Sequence, residues 1–291
     1  MTALSAAPRF ALAVLSAGVV ASCAPAANAA DPLRYKAYYD IFNRGNALIP
    51  GHDTRWVPQG LTYWPDRDAL IISYYDASKK LDSRLAVIDR ASGRKQSIFE
   101  LPEKGHVGGL AMSDGNLWVA SSGTVSRISK PNLARAADGD RLPVDSEHKL
   151  AATSFATFDG ANLWVGKYET DARKSRYAYR YPLGADELPA KTYDRRVAIP
   201  TSVQGMAIRG GRVLLSRSGG HGIDADSSLE VRSLGNLNGR PGRVITAPNM
   251  SEGVVFGNGK VHVLYESGAK KYAGADYRVK TVHHGRISDL L

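Results

Sequence analysis

The residues able to move a proton or hold a ligand recur at even intervals along this chain. Glu252 stands before Gly253 as Gln59 stands before Gly60 and Gln204 before Gly205, and Ser154 takes the same place in a further stretch. With Gly108 as the remaining member of the column, the steps from Gln59 to Glu252 are 49, 46, 50 and 48 residues. His106 lies just ahead of that second member. A carboxyl and an imidazole brought to one place form a general acid–base set, and histidine titrates near neutral pH, so Glu252 and His106 are the candidate catalytic residues. Gln59, Ser154 and Gln204 carry amides and hydroxyls suited to binding a ligand, and Tyr74, Lys167, Arg217 and Tyr265 join them from the ends of neighbouring apolar runs. Tyr75, Asp76, Tyr168, Glu169, His221, Asp224, Asp226 and Glu266 follow in the adjoining loops.

The elements that must position these residues are repeated β units, because a period near 48 residues fits four strands and their turns. The apolar runs align without gaps as Leu70–Tyr74, Leu117–Ser121, Leu163–Lys167, Val213–Arg217 and Val261–Tyr265. Each follows a turn rich in Gly, Asn or Asp, such as Asp114-Gly115-Asn116, Gly210-Gly211 and Gly257-Asn258-Gly259, as tight hairpins require. Runs of four or so apolar residues suit strands buried on both faces. Third strands are expected at Arg84–Asp89, Thr124–Ile128, Tyr177–Tyr181, Ser228–Val231 and Tyr277–Val282, and several fourth strands stop at a proline, namely Pro102, Pro200 and Pro248. The insertion from Pro131 to Asp145 reads as a surface loop with a helical turn at Asn132–Ala136.

The fifth unit ends after its third strand, whereas Ala47–Ile49 is an unclaimed fourth strand ahead of the first unit. Together they predict an all-β, five-bladed propeller of four-stranded antiparallel blades, closed by an N-terminal strand that completes the last blade. Closure hides sheet edges that would otherwise invite aggregation. In such a ring the starts of the inner strands and the ends of the second strands share one mouth of a central funnel. A concave mouth with converging polar groups is a ligand site.

Residues 1–30 read as an export signal, removed to leave a single domain over 31–291. Arg9 is followed by the apolar stretch Phe10–Val20 and by Ala27-Asn28-Ala29, a small-residue cleavage site. Val20-Ala21-Ser22-Cys23 resembles a bacterial lipobox, which makes Cys23 a candidate lipidation site and offers two products, one freely secreted and one anchored in the cell envelope. Cys23 is the only cysteine, so the folded domain has neither a disulfide nor a reactive thiol. The formal charge of +10 is spread over separated pairs, including Lys79-Lys80, Arg173-Lys174, Arg195-Arg196 and Lys270-Lys271. Without a nucleic-acid motif or a long basic run, that pattern fits a solvated surface and gives no expectation of nucleic acid as a partner.

HExxH, GxxxxGK and GxSxG are absent. A glycosidase needs two carboxylates flanking one bond, and Glu252 alone lies in the central column, with Asp76, Glu169 and Glu266 farther out. Gln59-Gly60-Leu61, Gln204-Gly205-Met206 and Glu252-Gly253-Val254, each followed by a turn and an apolar strand, resemble the repeats of exported bacterial propellers related to the SMP-30/gluconolactonase and strictosidine-synthase-like group. The resemblance spans residues 45–285 and implies a channel site. In lactonases of that group a Glu, Asn residues and an Asp hold a divalent metal; Glu252 matches the Glu, while Gln59, Ser154 and Gln204 replace the others. The Gln-Gly-Leu repeat and Tyr265-Glu266-Ser267 are also similar to plant-type glutaminyl cyclotransferases, although the latter segment falls in a different blade.

The reading is a monomeric, secreted or cell-envelope propeller that binds a small molecule, a glycan or a protein at its funnel. It would touch a membrane only through a lipid anchor. The alternative is a lactonase-like hydrolase or lyase in the same funnel. No cofactor is required by the first, and Ca²⁺ or Mg²⁺ is the expectation for the second.

Overall fold

The computed structural model describes residues 33–220 and 225–291, so the expected export signal over 1–30, Cys23, His221 and Asp224 lie outside the described residues. Four four-stranded antiparallel sheets follow one another: β1 to β4 (Trp56–Trp64, Ala69–Asp76, Arg84–Asp89, Lys95–Glu100), β5 to β8 (Gly109–Met112, Asn116–Ser121, Thr124–Ser129, Ser146–His148), β9 to β12 (Phe155–Phe158, Asn162–Gly166, Tyr177–Pro182, Arg195–Ala198) and β13 to β16 (Val203–Arg209, Arg212–Arg217, Ser227–Ser233, Arg243–Ala247). The fifth holds β17 (Ser251–Gly257), β18 (Lys260–Tyr265) and β19 (His283–Arg286). Its fourth place is taken by the N-terminal segment, which bridges Asn43 to His284 and Leu48 to Thr281. The inner strands touch in the cyclic order β1, β5, β9, β13, β17 and back to β1, which closes a five-bladed propeller.

One strand is misplaced by the sequence reading. The third strand of the last blade is His283–Arg286, paired with Lys260–Val263, and not Tyr277–Val282. The alternation in 277–282 has another cause: Val279 and Val282 are buried, while Arg278 and Lys280 turn outward onto Asp53.

The core is five seams between neighbouring blades. Leu85, Phe99 and Leu110 fill the first, Trp118, Ala156 and Leu163 the second, and Trp164, Met206 and Leu215 the third. In the fourth, Leu214 and Val263 pack with Tyr38 and Phe42 of the N-terminal segment, whose helix α1 spans Lys36–Tyr39. Ile72, Leu264 and Ile49 close the ring in the fifth. Each second strand is thus buried on both faces, which explains its unbroken apolar run. The hairpin turns Gly210-Gly211 and Asn258-Gly259 have positive φ at both central residues (55° and 76°, 46° and 73°), the geometry that selects Gly and Asn.

The recurrent glycine beside the Gln/Glu column has a packing reason. A Cβ on Gly205 would lie 2.6 Å from the Glu252 carbonyl oxygen, and one on Gly253 2.5 Å from the Leu61 nitrogen. Inner strands of adjacent blades approach too closely there for any side chain. The insertion carries helix α2 (Lys130–Arg135), close to the expected turn. Beyond α2, Asp138 accepts from Lys95 and from the Ile98 N–H, so the insertion covers the edge of β4.

Candidate functional site

In three blades the pairing of the inner and second strands slips at the Gln/Glu–Gly step. The shifts fall between Pro58 and Leu61, Val203 and Gly205, and Ser251 and Val254. A bulge of this kind re-aims a side chain out of the regular alternation, and here it directs Gln59, Gln204 and Glu252 into one hydrogen-bonded cluster. Gln59, Gln204 and Ser154 line a funnel of about 520 Å³ with Tyr75, His106, Ser122, Thr153, Tyr168, Glu266, Lys271 and Tyr272.

Beside the funnel lie two carboxyls in hydrogen-bond contact, Glu252 and Glu266, both buried (2% and 6% exposed). Two carboxylates cannot share a contact unless one carries a proton. Burial and the neighbouring Glu266 charge push Glu252 well above the ordinary glutamate value. Burial also raises Glu266, opposed by hydrogen bonds from Tyr272, Gln59 and Glu252 and by the Lys271 charge. The shared proton therefore resides on Glu252 and is donated to Glu266. Gln204 Nε2 donates to Glu252 Oε1 at 2.8 Å, and Gln59 Nε2 to Glu266 Oε2 at 3.0 Å. Glu266 lines the funnel; Glu252 lies behind it.

Gln59 also fixes His106. Its amide nitrogen is spent on Glu266 and on the Pro58 carbonyl (2.9 Å), so Oε1 faces His106 Nδ1 at 3.2 Å and must accept. Nδ1 then carries the proton and Nε2 keeps its lone pair. Partial burial, with Lys271 and Lys79 nearby, lowers the His106 pKa, so the ring is neutral at pH 7. It lies against Tyr75, centroids 4.2 Å apart, and Lys271 Nζ donates to the Tyr75 hydroxyl at 2.7 Å.

The other expected residues are placed elsewhere. Tyr74 and Tyr265 are buried in the seams at 3% and 0% exposure, because neighbouring strand residues face opposite ways and Tyr75 takes the funnel side. Lys167 is exposed and pairs with Glu169, and Arg217 binds Glu230 and Thr201, so neither partners Glu252 and neither lines the funnel. Asp76 is held by Arg55, the Ser78 hydroxyl and three backbone N–H groups, those of Ser78, Lys80 and Leu81. Asp226 accepts from Arg34 and Tyr35. Glu266, read as peripheral, is the partner of Glu252.

Lys271 and Tyr272 are absent from the sequence-derived site. They ride on residues 266–282, the connection from β18 to β19, which reaches blade one through Lys270 N–H to the Thr54 carbonyl. The length of that connection, against two residues between β6 and β7, was the available signal. Among the described residues no group of three or more His, Cys, Asp or Glu side chains is placed to hold a metal. Glu252, which the resemblance sets against the lactonase metal ligand, is engaged by Gln204 and Glu266.

No protein-family model matches the sequence, and no curated protein matches it. Solved structures do. The tail fibre of Staphylococcus aureus phage P68 is similar at 10% identity over 85% of this chain and 53% of that one, with a TM-score of 0.52. Hydrazine synthase of Kuenenia stuttgartiensis matches at 13% identity over 77% of this chain and 58% of that one, TM-score 0.42. BamB from Moraxella catarrhalis matches at 12% over 84% and 61%, TM-score 0.35. The chain spans just over half the length of the first two, and at these identities the likeness concerns the fold alone.

Proposed function

We propose that the funnel binds a small, neutral, hydroxylated molecule such as a saccharide unit. The observation that carries this reading is the character of the wall: Tyr75, Tyr168 and Tyr272 stand among the amides and hydroxyls of Gln59, Gln204, Ser122, Thr153 and Ser154. Tyrosines offer an apolar face and a polar tip, which suits a ring whose faces are apolar and whose rim is hydroxylated. With Arg217 and Lys167 held elsewhere, Lys271 is the one cationic side chain lining the funnel among the described residues, and the Glu266 carboxylate lies close by. An anion therefore gains little there. The apolar stretch Phe10–Val20 and Ala27-Asn28-Ala29 support export, with or without a lipid on Cys23; the mass of the mature N-terminus tests this. Calorimetric titration of the purified protein with mono- and disaccharides tests the ligand. A 1:1 complex weakened tenfold or more by Tyr168→Ala is expected. Failure of every saccharide to bind, or binding indifferent to that change, refutes it.

The second reading is a hydrolase or lyase in the same funnel, supported by His106, a neutral imidazole with Nε2 free to accept a proton. The closeness of Glu252 and Glu266 argues against a glycosidase, whose carboxyls stand about 5 Å or more apart. Lactones and esters, offered with and without Ca²⁺ or Mg²⁺, are the substrates to test. Turnover that falls about 10²–10⁴-fold in His106→Ala supports this reading; turnover unaffected by that substitution overturns it.

A further inference from the structure

His262 and His284 face each other across β18 and β19 as directly paired residues, on the side of the sheet away from Tyr38 and His283. Their rings are near parallel, with centroids 6.2 Å apart. Both line a cavity of about 20 Å³ at the closure of the ring, which Asn46 of the N-terminal segment and Arg90 of blade one also enclose. The space suits a single small ion or one water.

The hydrogen bonds of the two rings settle which nitrogen each leaves available. His284 Nδ1 lies 3.2 Å from the Asn43 carbonyl, which can only accept, so Nδ1 carries the proton and Nε2 the lone pair. His262 Nε2 is buried without a hydrogen-bond partner, and the Gly257 carbonyl close to the ring favours the proton on Nδ1 and the lone pair on Nε2. An imidazole that donates Nδ1–H to a backbone carbonyl and offers Nε2 is oriented as a metal ligand. A polar nitrogen 1% exposed and unpaired also calls for an explanation. Asn46 adds a third donor: its Nδ2 is spent on the Ala91 carbonyl, leaving Oδ1.

We infer that His262, His284 and Asn46 form a binding site for one borderline transition-metal ion, Zn²⁺, Ni²⁺ or Cu²⁺, at the seam where the N-terminal segment closes the propeller. Nitrogen ligands select these ions over Ca²⁺ or Mg²⁺. A metal about 2.0–2.1 Å from each Nε2 sets the ring centres about 5 Å apart at a tetrahedral angle and about 6.4 Å apart when the two nitrogens stand opposite one another. The observed 6.2 Å fits nitrogens placed nearly opposite, the tetragonal arrangement of Cu²⁺ or Ni²⁺, whereas a tetrahedral ion would draw the rings about 1 Å closer. Two cations oppose the ion. Arg90 is already matched by Asp68, through bonds of 2.6 and 2.8 Å, and Lys260 is the other nearby positive charge. Burial and those charges lower both imidazole pKa values, so each ring is neutral and ready to ligate at pH 7.

The experiment uses the full chain without a polyhistidine tag, stripped with EDTA and titrated with ZnCl₂, NiCl₂ or CuCl₂ alone. One equivalent is expected to bind, and metal at 100-fold over Kd should raise the melting midpoint by about 5 °C. The Cu²⁺ electron paramagnetic resonance spectrum should show coupling to two imidazole nitrogens. Both features should be lost in His284→Ala and in His262→Leu. If His262→Leu fails to fold, His284→Ala, altering a half-buried ring, decides alone. Absence of a stoichiometric site, or its persistence in His284→Ala, overturns the inference. The funnel is not involved, so saccharide binding survives either result.

Discussion

Glu252→Gln isolates the shared proton of the carboxyl pair. The substitution keeps the side-chain shape. Its amide N–H can donate to Glu266 as the Glu252 proton does, and its Oε1 can accept from Gln204 as Glu252 Oε1 does. At low pH, where wild-type Glu252 is protonated in both folded and unfolded chains, the two proteins should differ by no more than about 1 kcal/mol, since no buried polar group loses a partner. At higher pH they must part. Glu252 has a folded pKa raised well above the ordinary 4.5, so between those two values the folded chain holds a proton that the unfolded chain has released. The stabilisation is fully present below pH 4.5 and is lost as pH rises through the folded value. The slope is about 1.4 kcal/mol per pH unit for one such group. Glutamine does not titrate and lacks that term.

Urea unfolding of both proteins at half-unit steps from pH 4.5 to 8 measures the difference directly. The variant should gain on the wild type by about 1.4 kcal/mol per unit across the window, then run parallel once Glu252 ionises in the folded chain. Glu266 also has a raised pKa and titrates in both proteins, so the comparison of the two cancels much of its term. Parallel profiles from pH 4.5 upward would refute the assignment of the proton to Glu252. Glu252→Ala is the companion variant: it strips Glu266 of a donor and Gln204 of its acceptor, at a cost of about 3–5 kcal/mol for an uncompensated buried charge.

Other consequences follow from single contacts. Gly253→Ala should cost about 1–3 kcal/mol in a denaturant melt, because its Cβ would press on the Leu61 backbone, whereas Gly274→Ala, with open space around it, should be nearly neutral. Tyr38→Phe removes the buried 2.9 Å bond to His283 Nδ1 and should cost roughly 1–3 kcal/mol by the same measurement. Asp53 is held at about 2 by hydrogen bonds from Lys280 and Arg278. Its contribution is present above the unfolded value of 3.8 and is lost as pH falls through about 2, so the acid-unfolding profile of Asp53→Asn should be shallower across that window.

The architecture was legible because the contacts that build it select residue types locally. A second strand buried on both faces can only be apolar, as Leu70–Ile72 and Leu163–Val165 are, and a tight hairpin needs positive φ at Asn258 and Gly259. The column of glycines could be read for the same reason: a neighbouring blade's backbone leaves no room for a side chain at Gly205 or Gly253. What the sequence could not show was direction. Tyr74 and Tyr75 differ by one position and one is in a seam, the other in the funnel. The stretch 277–282 alternates like a strand, yet its polar members serve Asp53. Lys271 resembled one half of a surface basic pair, and only the path of the long connection back to blade one brings it beside Tyr75. The pairing of Glu252 with Glu266 joins an inner strand to a loop, and no local pattern encodes it.

The bulges explain why the funnel is uneven. Blades one, four and five carry the slip in pairing, and they deliver Gln59, Gln204 and Glu252 to the shared cluster. Blades two and three have no slip between their inner and second strands. Their inner strands start only at Gly109 and Phe155, after the column position, so that side of the wall is formed by His106, Ser122, Thr153, Ser154 and Tyr168 from the flanking loops. One side of the funnel therefore holds a closed network of amides and carboxyls around a single proton, and the other offers hydroxyls that rotate to suit a partner. A ligand entering between them meets a fixed charge distribution on one flank and an adaptable one on the other. That asymmetry would give a molecule bound in the proposed site one preferred orientation, set by the three blades in which a glutamine or glutamate stands before the glycine.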